Sequence, residues 1–337
     1  MTRIEKLQKT GIRRLGLPKK GFSYVTPGGT RPAAADLERI DRLVLPPAWR
    51  SVAVAPSASA ALQAVGRDAA GRWQYHYSKG HERRRERKKR ARLIQFAQML
   101  PEMRASIDQD LRRPDLDRRK VMACIVRILS TCFLRPGSQV YAAENGSYGI
   151  ATLRNRHVSV KGDVIQYDFP AKSGKHQELE FRDRRVASII RELKRLPGKE
   201  LFKYRDEQGS VVDVKRRHIN QYIKEVMGGR FTAKDFRTWA GTLLCACALA
   251  QVGADRSESP AGRKRKIIAA VKHTAAILGN TPAVCRKSYI SPSVLDSFER
   301  GRTIERNFET VEQLIARRRG LREAEKDVLR LLKRKAV

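Results

Sequence analysis

The sequence predicts an α+β protein: a small N-terminal antiparallel β-sheet domain, then a larger, mainly α-helical domain holding a three-stranded β-sheet. Three observations predict it. Short strand-like runs bounded by turn residues fill residues 21–80. Segments with apolar residues at helical spacing dominate from residue 81 onward. One group of three strand-like runs, between 157 and 181, interrupts those helices. A chain of 337 residues has the length of two domains at about 150 residues each.

Residues 1–20 are basic and read as a poorly ordered leader. Phe22–Val25 is a strand ended by the turn Pro27-Gly28-Gly29. Ala33–Leu43 has Leu37, Ile40 and Leu43 on one helical face and stops at Pro46-Pro47. Ser51–Ala55 is a short strand. Leu62–Arg67 and Arg72–Tyr77 flank Asp68-Ala69-Ala70-Gly71 as a hairpin. Within it, Trp73, Tyr75 and Tyr77 share one strand face and Gln74 and His76 the other. Such aromatics either pack on a core or present hydroxyls to phosphates and base edges. The run HERRRERKKRAR, 81–92, carries eight Lys/Arg and marks the domain boundary, either as a solvated helix face or linker or as a basic hinge lying along a phosphate backbone. This divides the chain into a leader (1–20), a sheet domain (21–80), a hinge (81–92) and a helical domain (93–337). Helices are predicted over 83–100, 117–131, 182–196, 214–227, 234–252, 260–278 and 305–334. Strands are predicted over 157–160, 164–169 and 177–181, with Lys172-Ser173-Gly174-Lys175 as the second turn.

Composition narrows the function. The chain holds 71 Lys+Arg against 35 Asp+Glu, a net charge of +36, and such a surplus calls for a polyanionic partner. Nucleic acid fits best. A membrane fits poorly, because the longest apolar run, Ala240–Ala250, is too short to span a bilayer and the basic N-terminus lacks the apolar segment of a signal peptide. A cytoplasmic, nucleoid-associated location is expected. The five cysteines form no CxxC pair and read as free thiols of a reducing compartment. No zinc spacing, GxxxxGK[ST] or GxGxxG occurs, so no metal, nucleotide or other cofactor is expected.

One tyrosine raises a chemical question. Tyr289, in GNTPAVCRKSYISP (279–292), lies just past Arg286 and Lys287. A tyrosine that attacks a phosphodiester needs fixed cations on the non-bridging oxygens and a proton donor for the leaving alkoxide. Arg135 follows an apolar helix in Phe133-Leu134-Arg135-Pro136-Gly137. Lys172 sits in a hairpin turn, and Arg237 opens the most apolar helix of the chain. Asn280 can donate a hydrogen bond. Residue chemistry alone goes no further than a basic nucleic-acid protein with a candidate tyrosine nucleophile.

From about residue 20 to the end, the chain resembles the type IB DNA topoisomerases of the poxvirus and bacterial kind. The resemblance rests on Leu45-Pro46-Pro47-Ala48-Trp49, LRPGSQVYAAENGSYGIATL (134–153), FPAKSG (169–174), KDFRTWAGT (234–242) and GNTPAVCRKSYISP. It implies a tyrosine recombinase-like catalytic domain and a monomer that closes as a clamp around duplex DNA. It makes Tyr289 the nucleophile of a 3′-phosphotyrosyl link, Arg135 and Arg237 the clamp on the scissile phosphate, and Lys172 the proton donor to the 5′-oxygen. Asn280 stands where the poxvirus pattern has a histidine, and an amide there donates a hydrogen bond without serving as an acid or base. Gln74, Tyr75, Tyr77 and Tyr141 match positions that touch DNA. Ser138 replaces a basic residue of the poxvirus pattern. The rival readings are a tyrosine recombinase or integrase, which has His-x-x-Arg where this chain has Lys234-x-x-Arg237 and a helical N-terminal domain, and a non-catalytic basic nucleic-acid-binding protein.

Overall fold

A computed structural model describes residues 1–19, 21–255, 257–317 and 320–334. The chain divides into two units, Met1–Lys89 and Arg90–Val337.

The first unit is built on a five-stranded antiparallel sheet. Its strands are β1 (Ile12–Leu17), β2 (Gly21–Val25), β3 (Arg50–Val54), β4 (Leu62–Arg67) and β5 (Trp73–Tyr77), in the order β2-β1-β3-β4-β5. The helices are α1 (Arg3–Thr10) and α2 (Ala34–Arg42). Alternation along the central strands covers both sheet faces. Val52, Val54 and Ala64 pack with Ile12 and with Ile40 of α2. Ala53, Ala55 and Val65 pack with Leu7 of α1 and with Trp73. Residues 1–19 are therefore not the loose leader their charge suggested. A capping box starts α1: Glu5 N donates to Thr2 Oγ1 at 3.2 Å and Thr2 N to Glu5 Oε2 at 2.9 Å. Ile4 and Leu7 then lie one turn apart on the face that meets the sheet. Lys20, the last residue of that segment, lies outside the described residues. The Leu-Pro-Pro-Ala-Trp motif is structural in part. Trp49 rests against Gly66, where a Cβ would come within 2.6 Å of the indole ring.

The run 81–92 is helical throughout, as the helix expected over 83–100 required, and forms part of the longer α3 (Lys79–Asp110). Lysine and arginine are good helix formers, and the run contains no glycine or proline to break the helix.

The second unit packs around α8 (Ala233–Val252), whose Ala240–Ala250 run is a buried helix. Around it lie α4 (Arg118–Cys132), α5 (Gln139–Asn145), α6 (Arg184–Arg195), α7 (Arg216–Met227), α9 (Pro260–Ile277), α10 (Pro282–Ser288), α11 (Pro292–Glu299), α12 (Val311–Arg317) and α13 (Leu321–Lys333). Phe96 of α3 meets Phe231 and Phe236 edge-on, at centroid distances of 5.5 and 5.0 Å. The expected sheet is antiparallel: β6 (Val158–Lys161), β7 (Val164–Pro170) and β8 (His176–Arg182), in that order. A two-stranded ribbon, β9 (Lys203–Arg205) with β10 (Val211–Asp213), was not expected. The helix expected over 305–334 is two helices, α12 and α13. Gly320, at φ 79° just before α13, approaches Asn307 so closely that a Cβ would lie 2.5 Å from its carbonyl oxygen. Arg318 and Arg319 lie outside the described residues. No helix among the described residues is long and apolar enough to cross a membrane.

Because Leu7 is 8% exposed and ties α1 to the sheet, Leu7→Ala should lower the stability of the first unit by about 2–3 kcal/mol in urea unfolding. An unchanged midpoint would mean that α1 adds nothing to this core.

Candidate active site

Four segments of the second unit converge on one open cleft of about 730 Å³. The first is the chain after α4. Phe133 takes a left-handed conformation (φ 54°), which ends the helix and sends Leu134 back into the core. Arg135 then emerges half-buried. Its backbone is fixed by Ile150 N donating to Arg135 O at 2.8 Å and Ala151 N donating to Pro136 O at 3.0 Å. Gly137 and Gly149 make this crossing possible: a Cβ on Gly149 would lie 2.5 Å from Gly137 N.

The second segment is α8, which carries Arg237 in its second turn at 3% exposure. Its Nη1 donates to Phe133 O and its Nη2 to Leu278 O, the latter at 2.8 Å, while its buried Nε has no partner. The third segment is the turn after α9. Arg135 Nη2 donates to Gly279 O at 2.8 Å and to Asn280 Oδ1 at 2.6 Å. Asn280 is 8% exposed, and its Nδ2 donor is left without a partner. Tyr289 closes α10 and lies half-buried, its ring centroid 5.1 Å from Arg237 Cζ. Its backbone is held on both sides: Tyr289 N donates to Cys285 O at 2.9 Å, and Thr242 Oγ1 donates to Tyr289 O at 3.1 Å. A Cβ on Gly241 would stand 2.8 Å from Tyr289 Cβ, so only glycine lets α8 approach so closely.

The fourth segment is the β7–β8 turn, where Lys172 opens a 3-10 turn (Lys172–Gly174). Its Nζ lies 6.0 Å from the ring centroid of Tyr141, a 56% exposed residue of α5. Lys175, on the same turn, donates from Nζ to Asn280 O at 3.5 Å.

The electrostatics are one-sided. Arg135, Lys172, Arg216, Lys234 and Arg237 line the cleft, with no Asp or Glu among the described lining residues. Among the described residues neither Arg135 nor Arg237 has a carboxylate partner; the groups they touch are carbonyl and amide oxygens. Burial pulls both guanidiniums below their ordinary pKa. The Arg237 charge pulls Arg135 down further, while Tyr289 acts to raise both. Arginine nevertheless stays charged at any working pH. Two desolvated cations, an orphaned amide donor and a phenol therefore face one space, an arrangement suited to a phosphate group.

Arg135, Lys172, Arg237, Asn280 and Tyr289 thus come together from four separate stretches of sequence, with Tyr141 beside them. Gln74, Tyr75 and Tyr77 belong to β5 of the first unit. Gln74 Nε2 donates to Asp68 Oδ2 at 2.8 Å. Tyr75 is 46% exposed, and Tyr77 stacks on His81 with centroids 4.8 Å apart. Of this strand's aromatics, Trp73 packs on the core and Tyr75 faces solvent. Arg216 and Lys175 had not been singled out as site residues, and Lys234 only as the companion of Arg237 in Lys234-x-x-Arg237. Lys234 had a readable signal, since it precedes Arg237 by three residues and shares its helix face. Arg216 had none beyond its charge. One group with metal-ligand geometry, Asp168, His176 and Glu178, lies exposed on the β7–β8 hairpin.

Comparison with known proteins places the chain. Residues 78–315 match the family model of the eukaryotic DNA topoisomerase I catalytic core, and residues 21–68 match that of the bacterial DNA topoisomerase IB N-terminal domain. DNA topoisomerase 1B of Acanthamoeba polyphaga mimivirus is 34% identical over 306 residues, 89% of this chain and 90% of that protein. DNA topoisomerase 1B of vaccinia virus (strain Western Reserve) is 25% identical over 235 residues, covering 69% and 71%. Among solved structures, the XerH site-specific recombinase bound to difH substrate aligns with a TM-score of 0.34 at 14% identity, over 56% of this chain and 48% of that one. The chain therefore belongs to the type IB DNA topoisomerases, a family of isomerases that change the topology of DNA.

Proposed function

We propose that this enzyme relaxes supercoiled duplex DNA by cutting one strand through a 3′-phosphotyrosyl intermediate, letting the free end rotate, and rejoining it, without ATP or metal. The observation that carries the reading is the pair of carboxylate-free, desolvated arginines facing Tyr289. Tyr289 Oη attacks the phosphorus and gives its proton to water in the open cleft as the new P–O bond forms. The bond to the 5′-oxygen breaks, and Lys172 protonates that oxygen as it leaves. Arg135, Arg237 and the free Nδ2 of Asn280 hold the non-bridging oxygens, where charge grows in the transition state. Arg237 also lies against the face of the phenol ring, its Cζ 5.1 Å from the ring centroid. The phosphotyrosine conserves the bond energy, so rejoining is the same step reversed, with the 5′-hydroxyl as nucleophile and Lys172 as base.

Gln74, Tyr75, Tyr77 and Tyr141 contact the duplex in this reading, and the enzyme works as a monomer that clamps DNA in the nucleoid. A site-specific recombinase would use similar chemistry. The β-sheet of the first unit and the lysine at position 234 favour relaxation over recombination.

Supercoiled plasmid in EDTA, without ATP, should be relaxed by the wild type and left untouched by Tyr289→Phe. The variant should still bind DNA, because it loses only the attacking oxygen. Relaxation by Tyr289→Phe would remove Tyr289 from the mechanism. Lys172→Ala should slow cleavage of an ordinary strand and recover with a 5′-thiolate leaving group, which needs no proton; without that recovery Lys172 is not the acid. Gly241→Ala pushes directly on Tyr289. It should reduce single-turnover cleavage about 10²-fold with little loss of DNA affinity, the effect of a nucleophile displaced by about 1 Å. Full activity would show that α8 does not position Tyr289.

A further inference from the structure

The segment after α2 reads Leu-Val-Leu-Pro-Pro-Ala-Trp, residues 43–49. Val44 follows Leu43, the C-cap of α2, with a φ of 48°. This left-handed position is where helices usually carry glycine, which adopts it freely. For a β-branched residue it is an outlier. The helix end needs only the Val44 backbone, whose N donates to Asp41 O at 3.1 Å. The side chain adds nothing to the core. Val44 is 82% exposed, while Leu43 and Leu45 on either side pack with Ile12, Ile40, Val52, Val54 and Ala64.

The loop beyond Val44 is rigidly braced. Arg14 Nη2 donates to Pro46 O at 3.2 Å and to Trp49 O at 2.6 Å. Trp49 is in turn seated on Gly66. A strained apolar side chain is thus held out to solvent by well-packed neighbours, at a position where glycine or asparagine would fit with less strain. Strain maintained by its surroundings in this way points to function.

We propose that Val44 is a DNA-contacting residue whose side chain enters a groove of the duplex and packs on base and sugar edges. This rests on the reading of duplex DNA as substrate. Apolar side chains serve this purpose in groove-binding proteins, and the thymine methyl group offers an apolar partner. Arg42, two residues away, has a side chain 75% exposed and is held only by a solvent-exposed ion pair with Glu38 at 3.4 Å, a weak tie that a phosphate can replace.

The test uses full-length Val44→Gly and Val44→Asn, since both residues accept the left-handed conformation. Each should melt at or above the wild-type temperature. Each should bind duplex DNA about tenfold more weakly, the effect of losing one buried valine contact. Measured across a salt series, the log–log slope should stay at its wild-type value, because no phosphate contact is lost. Unchanged affinity in both variants would overturn the proposal and leave Val44 as a poor helix stop. A shallower slope would also overturn it, since the lost contact would then be ionic. If the wild type bound no duplex, the substrate reading itself would fall and the proposal with it.

Discussion

The second unit is organised around the placing of two guanidinium groups on backbone carbonyls instead of carboxylates. Arg237 joins Phe133 O to Leu278 O, and Arg135 reaches Gly279 O and the Asn280 amide. These bonds tie the end of α4, the start of α8 and the turn after α9 into one frame. Carbonyl dipoles orient a cation without cancelling its charge. Each arginine therefore remains short of a counter-ion after the desolvation that folding imposes. In the proposed reaction a phosphate diester would supply what is missing, and more strongly as its charge rises toward the transition state. On the proposed mechanism, the same bonds that hold the fold together would set up the differential binding that catalysis needs.

Such a frame is useful only if the proposed nucleophile is equally fixed. Tyr289 sits at the end of a short helix, where a loose side chain would be expected. Its backbone is instead held by Cys285 on its own helix and by Thr242 on α8. Thr242 Oγ1 also accepts from Ser291 N at 3.1 Å, so one hydroxyl fixes the chain on both sides of Tyr289. Burial pushes the Cys285 thiol up to about 11, which leaves it neutral packing beneath the tyrosine. Position is thereby settled before substrate arrives, which reduces the entropy lost in reaching the reactive geometry.

The architecture was legible because its long helices and its β6–β8 sheet have clear periodicity. The four motifs around Arg135, Lys172, Arg237 and Tyr289 were legible through resemblance. Residue chemistry alone could not join them, because bonds such as Arg237 to Phe133 span 104 positions of sequence. The helix α1 was hidden by its charge: the Thr2–Glu5 capping box and the Ile4/Leu7 spacing lie in a stretch that composition marks as solvated. The helices α10 and α11 escaped because one or two turns are too short for periodicity to register. Their signal lay in the pairs Thr281-Pro282 and Ser291-Pro292, each a cap residue followed by proline at the first helical position. Between α12 and α13 the readable signal was Gly320 itself, which takes a φ of 79° and lies so close to Asn307 that a Cβ would not fit.

Charge at the cleft is governed as much by where the carboxylates are sent as by where the cations stand. Asp235 lies only two residues before Arg237 and would neutralise it if the two shared a face. On a helix, residues two apart point to nearly opposite sides. Asp235 is further committed elsewhere. It accepts from Thr232 N at 2.8 Å, which caps α8, and from Arg92 Nε at 2.6 Å, which ties α3 to it. Asp110 is likewise engaged by Arg119 and by the buried Tyr222 hydroxyl, and Glu325 by Arg104. In a chain with 71 basic and 35 acidic residues, acids spent on helix caps and interhelical ties are unavailable to the cleft. The cationic lining of the cleft beside Tyr289 is thus a product of the helix packing itself, and a substitution that freed Asp235 from Arg92 would weaken α8 and the proposed phosphate site together.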